Sequence, residues 1–472
     1  MIGLPASDAG QGHCVPARRG GGTRWAALLF MLLIIPVKAR ADGPTDPATR
    51  PVQTQPLQPD VDQFSVHAQG TVVSQKHDIF PAQFTGPFDV PPHEPWKTSV
   101  TGTLFMGARL PWTGGEFYFD PEVSGGEGFG GVTGIAGFPN GEIPRVGTPE
   151  PQPYVARAFF RQTFGLGGEK ERVDSDQNQL AGFRDISRLT VTFGKVAATD
   201  FFDNNAYSHD PRTQYLNWSL MDNAAWDYPA DTRGYTYGLV LELNQPVWAL
   251  RYGAFTMPKD ANGSTIDWNV PKALGQAIEF EQRWTLHEQP GTARWLAYGN
   301  LAHMGNYRQA IAEAGSSVPD VTLTRTYSAK WGFGLSADQA LTKDLGLFGR
   351  LGWNNGQTES FCFTEVDATA SIGLSSRGTS WHRPDDVAGI AVVVNGISDA
   401  HRAYLAAGGH GFIIGDGRLP HYGTENIVES FYNCKIYQHV FVTGDFQFVD
   451  NPAYNRDRGP IFIGGVRVHV EF

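Results

Sequence analysis

The chain has 472 residues, a formal net charge of −11, 56 glycines, 12% aromatic residues and only 18% charged residues. An acidic chain without a basic stripe excludes a nucleic-acid partner. Length alone suggests two or three domains, but one closed sheet absorbs many strands, and glycine-rich turns with abundant aromatics suit an all-β chain.

The first forty residues read as a leader. Arg18, Arg19 and Arg24 precede an apolar run from Trp25 to Val37, and Ala39-Arg40-Ala41 supplies a small-x-small cleavage site. This predicts a secretory signal peptide spanning 1–41, removed after about Ala41. The run is too short to serve comfortably as a membrane anchor. Its loss removes more basic than acidic residues, so the mature chain is more acidic still. Cys14 leaves with the leader. Cys362 and Cys434 remain in an oxidising compartment, with room for one bridge but no disulfide framework. Residues 42–63, rich in Pro, Thr, Gln and Asp, predict a flexible periplasmic lead-in. No mature segment approaches the ~18 uninterrupted apolar residues of a transmembrane helix.

From Phe64 the pattern becomes strand, gap, strand. Candidate strands fall near 64–74, 98–109, 115–121, 154–164, 187–195, 234–243, 247–256, 276–286, 292–303, 327–338, 344–353, 366–375, 387–397, 426–436, 440–449 and 461–472. Long gaps such as 122–153, 196–233 and 398–425 alternate with short ones such as 110–114, 244–246 and 437–439. An up-and-down barrel with tight periplasmic turns and long external loops requires this alternation. Two gaps, 165–186 and 376–386, fall at turn positions but are long.

The strand faces agree. Successive side chains of a strand point to opposite faces. In 154–164, Arg157, Arg161 and Thr163 lie opposite Ala156, Ala158, Phe160 and Phe164; in 276–286, Glu279, Glu281 and Arg283 lie opposite Ile278, Phe280 and Trp284. Lys330, Ser336 and Asp338 oppose Trp331, Phe333 and Leu335, and Arg350 opposes Leu347, Leu351 and Trp353. The last strand sets Val466, Val468, Val470 and Phe472 against Arg467, His469 and Glu471. A soluble sandwich also alternates. Arginine recurring on strand after strand fits a polar lumen with a lipid-facing exterior better.

Chemistry-bearing motifs are scarce. There is no Gly-x-Ser-x-Gly elbow and no His-Glu-x-x-His, and the glycine-rich run 125–131 lacks the Lys-Ser/Thr of a phosphate cradle. Asp200, Asp203 and Asp210 with Asn204 and Asn205 lack EF-hand spacing. The densest stretch, 199–233, mixes Trp218, Trp226, Tyr207, Tyr215 and Tyr228 with Asp, Asn and Arg. Ring faces beside planar hydrogen-bonding groups are what sugar rings need, so this segment is expected to line or overhang a pore. A self-packed loop is the alternative.

The stretches PYVARAFFRQTF at 153–164, FFDNNAYSHDPRTQYLNWS at 201–219, WDYPADTRGYTYG at 226–238 and NPAYNRDRGP at 451–460, with the Phe-terminated last strand, resemble the carbohydrate-selective porins of the OprB family. The likeness runs from about Phe64 to Phe472. It implies a sixteen-stranded outer-membrane barrel over 64–472 that passes sugars by diffusion, with a constriction of arginines and acidic residues and with no catalysis and no cofactor. Matching motifs carry that role to Arg157 and Arg161. Face assignment adds Arg109, Arg188, Arg283, Arg350 and Glu279, and the dense segment adds Asp203, Asn204 and Trp218. Expected partners are sugars, outer-membrane lipid and, through the strand ending in Phe472, the barrel-assembly machinery. A monomer and a trimer both fit. Two other readings stand beside this one: a barrel enzyme with its site in the external loops, and a soluble β-rich sugar-binding protein.

Overall fold

The computed structural model describes residues 61–145 and 149–472. The predicted leader and nearly all of the lead-in lie outside the described residues. Sixteen long strands follow in order: β1 (Phe64–His77), β2 (Lys97–Arg109), β3 (Gly115–Gly126), β4 (Gln152–Gly165), β5 (Arg188–Val196), β6 (Thr236–Asn244), β7 (Trp248–Pro258), β8 (Leu274–Leu286), β9 (Gln289–Met304), β10 (Thr326–Ala340), β11 (Leu345–Asn354), β12 (Ala368–Gly378), β13 (Arg383–Gly396), β14 (Glu425–Tyr437), β15 (Val440–Asp450) and β16 (Ile461–Glu471). Each pairs antiparallel with the next, and a two-residue strand, Ile266–Asp267, extends the loop end of β7.

β1 closes the ring on β16, from Gln69 opposite Glu471 to His77 opposite Ile463. Phe472 continues the seam: its N–H donates to the Ala68 carbonyl at 2.9 Å, and the Ala68 N–H donates back at 3.1 Å. A sheet closed on itself leaves no strand edge unpaired. No helix among the described residues is long and apolar enough to cross a membrane.

The two faces are sorted inside out relative to a water-soluble sheet. On β16, Arg467 and His469 are buried while Phe462, Val466 and Val468 are exposed. Glu279, Lys330, Arg350 and Glu429 are likewise buried, while Phe193, Trp331, Phe333, Leu351 and Ile390 show about half of their surface on the outside. A soluble sandwich would bury the second group and hydrate the first. Charges within and large apolar residues without, all around a closed barrel, are the pattern of a strand-built membrane span.

All sixteen strands fall where the sequence pattern has them, with three differences. β3 runs to Gly126 rather than stopping at Pro121. The register slips there, with Asp120 opposite Arg157 but Pro121 opposite Val155. This bulge absorbs a residue that cannot donate to the ladder. It also turns Ala156 inward: Ala156 is fully buried and Val155 takes the outer face, so Ala156 does not share a face with Phe160 and Phe164. The apparent long gap at 376–386 shrinks to 379–382, because β12 and β13 extend further than the apolar runs that mark them. The gap at 165–186 is long because it contains a separate hairpin, Lys170–Val173 against Gly182–Asp185.

Phe333 lies in the middle of β10, on the outer face, 55% exposed. Phe333→Arg should cost ~2–4 kcal/mol if that band meets hydrocarbon. The heat-modifiable, folded band on a gel should shrink accordingly. An outer surface bathed in water would tolerate the change.

Candidate functional site

A sixteen-stranded barrel is wide enough to leave an aqueous channel through its centre. Here two loops fold back into that space. The loop after β3 buries Phe129, Ile135, Phe138 and Ile143, and the loop after β5, residues 197–235, buries Phe202, Tyr215, Leu220 and Trp226. The two are joined inside the lumen: the Trp218 N–H donates to the Phe138 carbonyl at 2.9 Å, and Asn217 Nδ2 donates to the Gly137 carbonyl at 2.8 Å.

Charged wall side chains hold both loops by their backbone. The Glu425 carboxylate accepts from the Ala136 and Gly137 N–H groups at 3.0 and 2.7 Å. The Glu429 carboxylate accepts from Leu216 and Asn217 at 2.5 and 3.0 Å. From β11 Arg350 donates to the Leu220 and Ser208 carbonyls at 2.6 and 2.5 Å. Arg467 donates to Pro211 and Gln214 at 2.6 and 2.7 Å. Glutamines from β1 and β15, Gln75 and Gln447, converge on the Pro139 carbonyl at 2.7 and 2.9 Å. A hydrogen bond to a charged group contributes about 1.5–3 kcal/mol, so these loops are fixed parts of the pore wall.

Between the loops and strands β2–β4 lies a cavity of about 410 Å³. Four guanidiniums border it, and that of Arg145 donates to the Phe412 carbonyl at 2.8 Å. Arg157 grips the Asp200 carboxylate through Nε and Nη2 at 2.7 and 2.6 Å, and stands 5.2 Å from the Tyr235 ring centre. Arg212 lies 3.1 Å from Glu142 and 3.6 Å from Glu122. Arg233 covers the Tyr154 ring at 4.1 Å and donates to Ser124 Oγ at 3.1 Å. Burial works against the Arg212 charge, but Glu142 and Glu122 outweigh it and raise its pKa. Burial likewise opposes the charge on His209, which Asp222 at 3.4 Å restores, raising that pKa too. Burial would push Asp210 up, but Arg212 and its backbone N–H hold it below the ordinary carboxylate value.

The residues singled out from sequence fall into groups. Arg157 and Trp218 share this cavity, where the Trp218 ring stacks 5.8 Å from Phe363 and donates to the Asn140 carbonyl at 2.9 Å. Arg161 and Arg109 border a different cavity nearer the turns. Arg188 and Arg283 also lie toward the turns, donating to Glu171 at 2.9 Å and Glu281 at 2.6 Å. Arg350, Asp203 and Glu279 belong to the clamps beneath the loop: Arg350 pairs with Asp203 at 2.8 Å, and Glu279 accepts from the Asp203 N–H at 2.7 Å. Asn204 donates to the Asp200 carbonyl at 3.3 Å. Glu279 and Glu281 pair with Arg251, Arg283 and Arg294 rather than with Arg157 or Arg161. No group of three His, Cys, Asp or Glu among the described residues could hold a metal. Cys362 and Cys434 are both free thiols.

Arg212, Arg233, Glu122 and Glu142 escaped the sequence reading. The first two stand within the quoted 201–219 and 226–238 stretches, which was the signal available. Glu122 lies beyond Pro121, where the strand seemed to end, and Glu142 lies in a loop that reads as merely glycine-rich.

Arg350→Met should leave Asp203 buried without its partner and release four carbonyls of the 197–235 loop, those of Asp203, Ser208, Leu220 and Met221. Removing one member of a buried pair costs ~3–5 kcal/mol. The barrel should still form, as a heat-modifiable band, but single-channel conductance in a planar bilayer should rise and become noisier. Wild-type conductance in this variant would show that the clamp does not position the loop.

The model of the carbohydrate-selective porin family OprB matches residues 106–472. Comparison with curated proteins gives no match. Among solved structures, the chain is similar to the high-pH structure of Pseudomonas putida OprB, with 15% identity, a TM-score of 0.64, and coverage of 87% of this chain and 94% of that one. The low-pH structure of the same protein (13%, TM-score 0.46, coverage 87% and 92%) and the outer-membrane channel DcaP of Acinetobacter baumannii (10%, TM-score 0.49, coverage 87% and 97%) also match. The chain is an outer-membrane β-barrel and belongs to the OprB family of carbohydrate-selective porins.

Proposed function

We propose that this porin passes sugars by passive diffusion through the cavity between its two inward loops, and that Arg157, Arg212 and Arg233 with their facing carboxylates select the solute. The observation that carries the reading is the pairing of guanidiniums with both rings and acids around one cavity. A sugar presents a CH face that packs on an aromatic ring and hydroxyls that pair with carboxylates and guanidiniums. The Arg157 and Arg212 guanidiniums are already balanced by Asp200, Glu142 and Glu122, so the lining favours a neutral polyol over a free ion. The activity is transport without catalysis, and conductance in a planar bilayer distinguishes it from an enzyme housed in the external loops.

The double variant Arg157→Gln, Arg212→Gln should fold normally, shift ion selectivity toward cations and weaken block of the current by sugars. A lost charged hydrogen bond of ~1.4 kcal/mol corresponds to about tenfold in affinity. Unchanged selectivity together with unchanged sugar block would refute the assignment.

The remaining parts of the reading concern export and assembly. The leader is cut after about Ala41, and the β16 strand ending in Phe472 is read by the barrel-assembly machinery. Deleting Phe472 should lower the amount of heat-modifiable protein in the outer membrane, and normal levels would refute that role.

A further inference from the structure

The hairpin between β4 and β5 does not hang free below the barrel. Its tip, Asp176–Gln179, closes on two backbone hydrogen bonds of 3.0 Å, with Asn178 in the left-handed region at φ 54°. Asn178 Nδ2 donates to Asp120 Oδ2 on β3 at 2.8 Å, and the Asn178 carbonyl accepts from Arg161 Nη1 on β4 at 3.0 Å. Arg109 Nη2 on β2 donates to the Ala181 carbonyl at 2.7 Å, and His67 Nε2 on β1 lies 3.1 Å from Ser175 Oγ. Four consecutive strands therefore hold the hairpin inside the lumen from the turn side.

It divides the space in two. Gln177 borders the cavity described above, while Gln179 borders a second one of about 440 Å³ nearer the turns. The two share no lining residue. Along β3, Ser124 and Glu122 face the first cavity, Asp120 holds the tip, and Tyr118 and Glu116 face the second. Along β4, Arg157 faces the first and Arg161 the second, about 13 Å apart at ~3.3 Å per residue. The chambers lie in series.

Their charge differs. In the first, six carboxylates, those of Glu122, Glu142, Asp200, Asp210, Asp222 and Asp231, line the wall with four arginines, and Arg157 spends its Nε–Nη2 edge on Asp200. The second is lined by Arg109, Arg161, Lys170 and Arg184 against Glu116 and Asp185, and Arg184 pairs further with Glu171 at 2.6 Å. Arg161 lies 4.9 Å from the Tyr118 ring centre and bonds Asn178 through Nη1 alone. Its Nε and Nη2 donate to no protein atom among the described residues, and the nearest carboxylate, Glu116, is 3.8 Å from Nη1. Glu116 is itself engaged by the Tyr118 hydroxyl at 2.9 Å and by Arg109 at 3.4 Å. The Nε–Nη2 edge is the fork that receives a carboxylate through two parallel hydrogen bonds.

We propose that this turn-side chamber is a second solute site, specific for sugar acids, in which the free fork of Arg161 takes the carboxylate and the polar wall beside Tyr118 takes the hydroxylated chain. The proposal rests on the sugar-channel reading, because solutes reach the chamber through the first cavity or leave through it.

Purified full-length protein in a planar bilayer, with gluconate or glucose added to one side at a time, tests it. Gluconate added on the turn side should block at a concentration at least fivefold lower than glucose. Arg161→Gln should abolish that preference, and Arg161→Lys, which keeps the charge but not the fork, should restore it only in part. Glu116→Gln, which removes a competing acid, should strengthen the gluconate block, so a second variant of opposite sign remains should Arg161→Gln not fold. Equal block by the two solutes from the turn side, or a preference that survives Arg161→Gln, overturns the second site alone. Absence of block by either solute from either side overturns the sugar-channel reading and this proposal with it.

Discussion

The structure depends on one constraint: a barrel whose outside is hydrocarbon must turn every charged strand residue into its own lumen. Arg350, Lys330, Glu279, Glu429 and Arg467 are all at most 2% exposed. Charges so enclosed are costly unless paired and hydrogen-bonded. Wall residues alone supply part of the answer, as where Arg251 lies between Glu279 and Glu281 at 2.9 Å from each. Loop backbone supplies the rest. Main-chain N–H and C=O groups are obligatory hydrogen-bonding partners, and the inward loops deliver them where the wall charges stand.

The device is repeated beyond the two pore loops. Asp227 of the 197–235 loop accepts from the Phe361 and Cys362 N–H groups at 2.9 and 2.6 Å and pairs with Lys330 at 3.2 Å. Glu365 accepts from Ile413 and Ile414 at 2.8 and 2.7 Å, holding the loop after β13 to the one after β11. Charge-to-backbone bonds thus link loops that are far apart in sequence. The aromatic residues between them, with Tyr215 edge-on to Phe431 at 4.8 Å and Phe363 against Tyr228 at 4.6 Å, fill the space with contacts that water cannot replace.

The barrel itself was legible because its signal is local. A period of two needs only neighbouring residues, so Arg467 and Val468 reveal their faces without knowledge of the fold. Pro121 misled for the same reason: locally it ends a strand, and only the opposite strand shows that a bulge carries the ladder past it. The passage was less legible because it is made by long-range pairing. Nothing near Ala136 or Gly137 announces that Glu425, nearly three hundred residues away, will hold them, and a glycine-rich run reads as flexibility. The 199–233 segment stood out through its aromatics, while the arginines of β4 divide by location in space. Arg157 and Arg161, four residues apart on one face, border different cavities because a turn-side hairpin comes between them.

This division bears on where selectivity can reside. Side chains on the wall of so wide a barrel cannot meet across it, and most of the charged ones are already committed. Arg350 and Arg467 spend their donors on loop carbonyls, and Glu425 and Glu429 spend their acceptors on loop N–H groups. A group engaged in this way cannot exchange partners with a passing solute without releasing the loop. Other charged groups are carried by the loops themselves, such as Arg212 and Arg233, or opposed by them, such as Arg157 against Asp200. Many of the wall charges therefore serve to hold the inward loops in place. A relative that kept the wall clamps and changed only the loop side chains would retain the same passage while presenting a different surface to the solute.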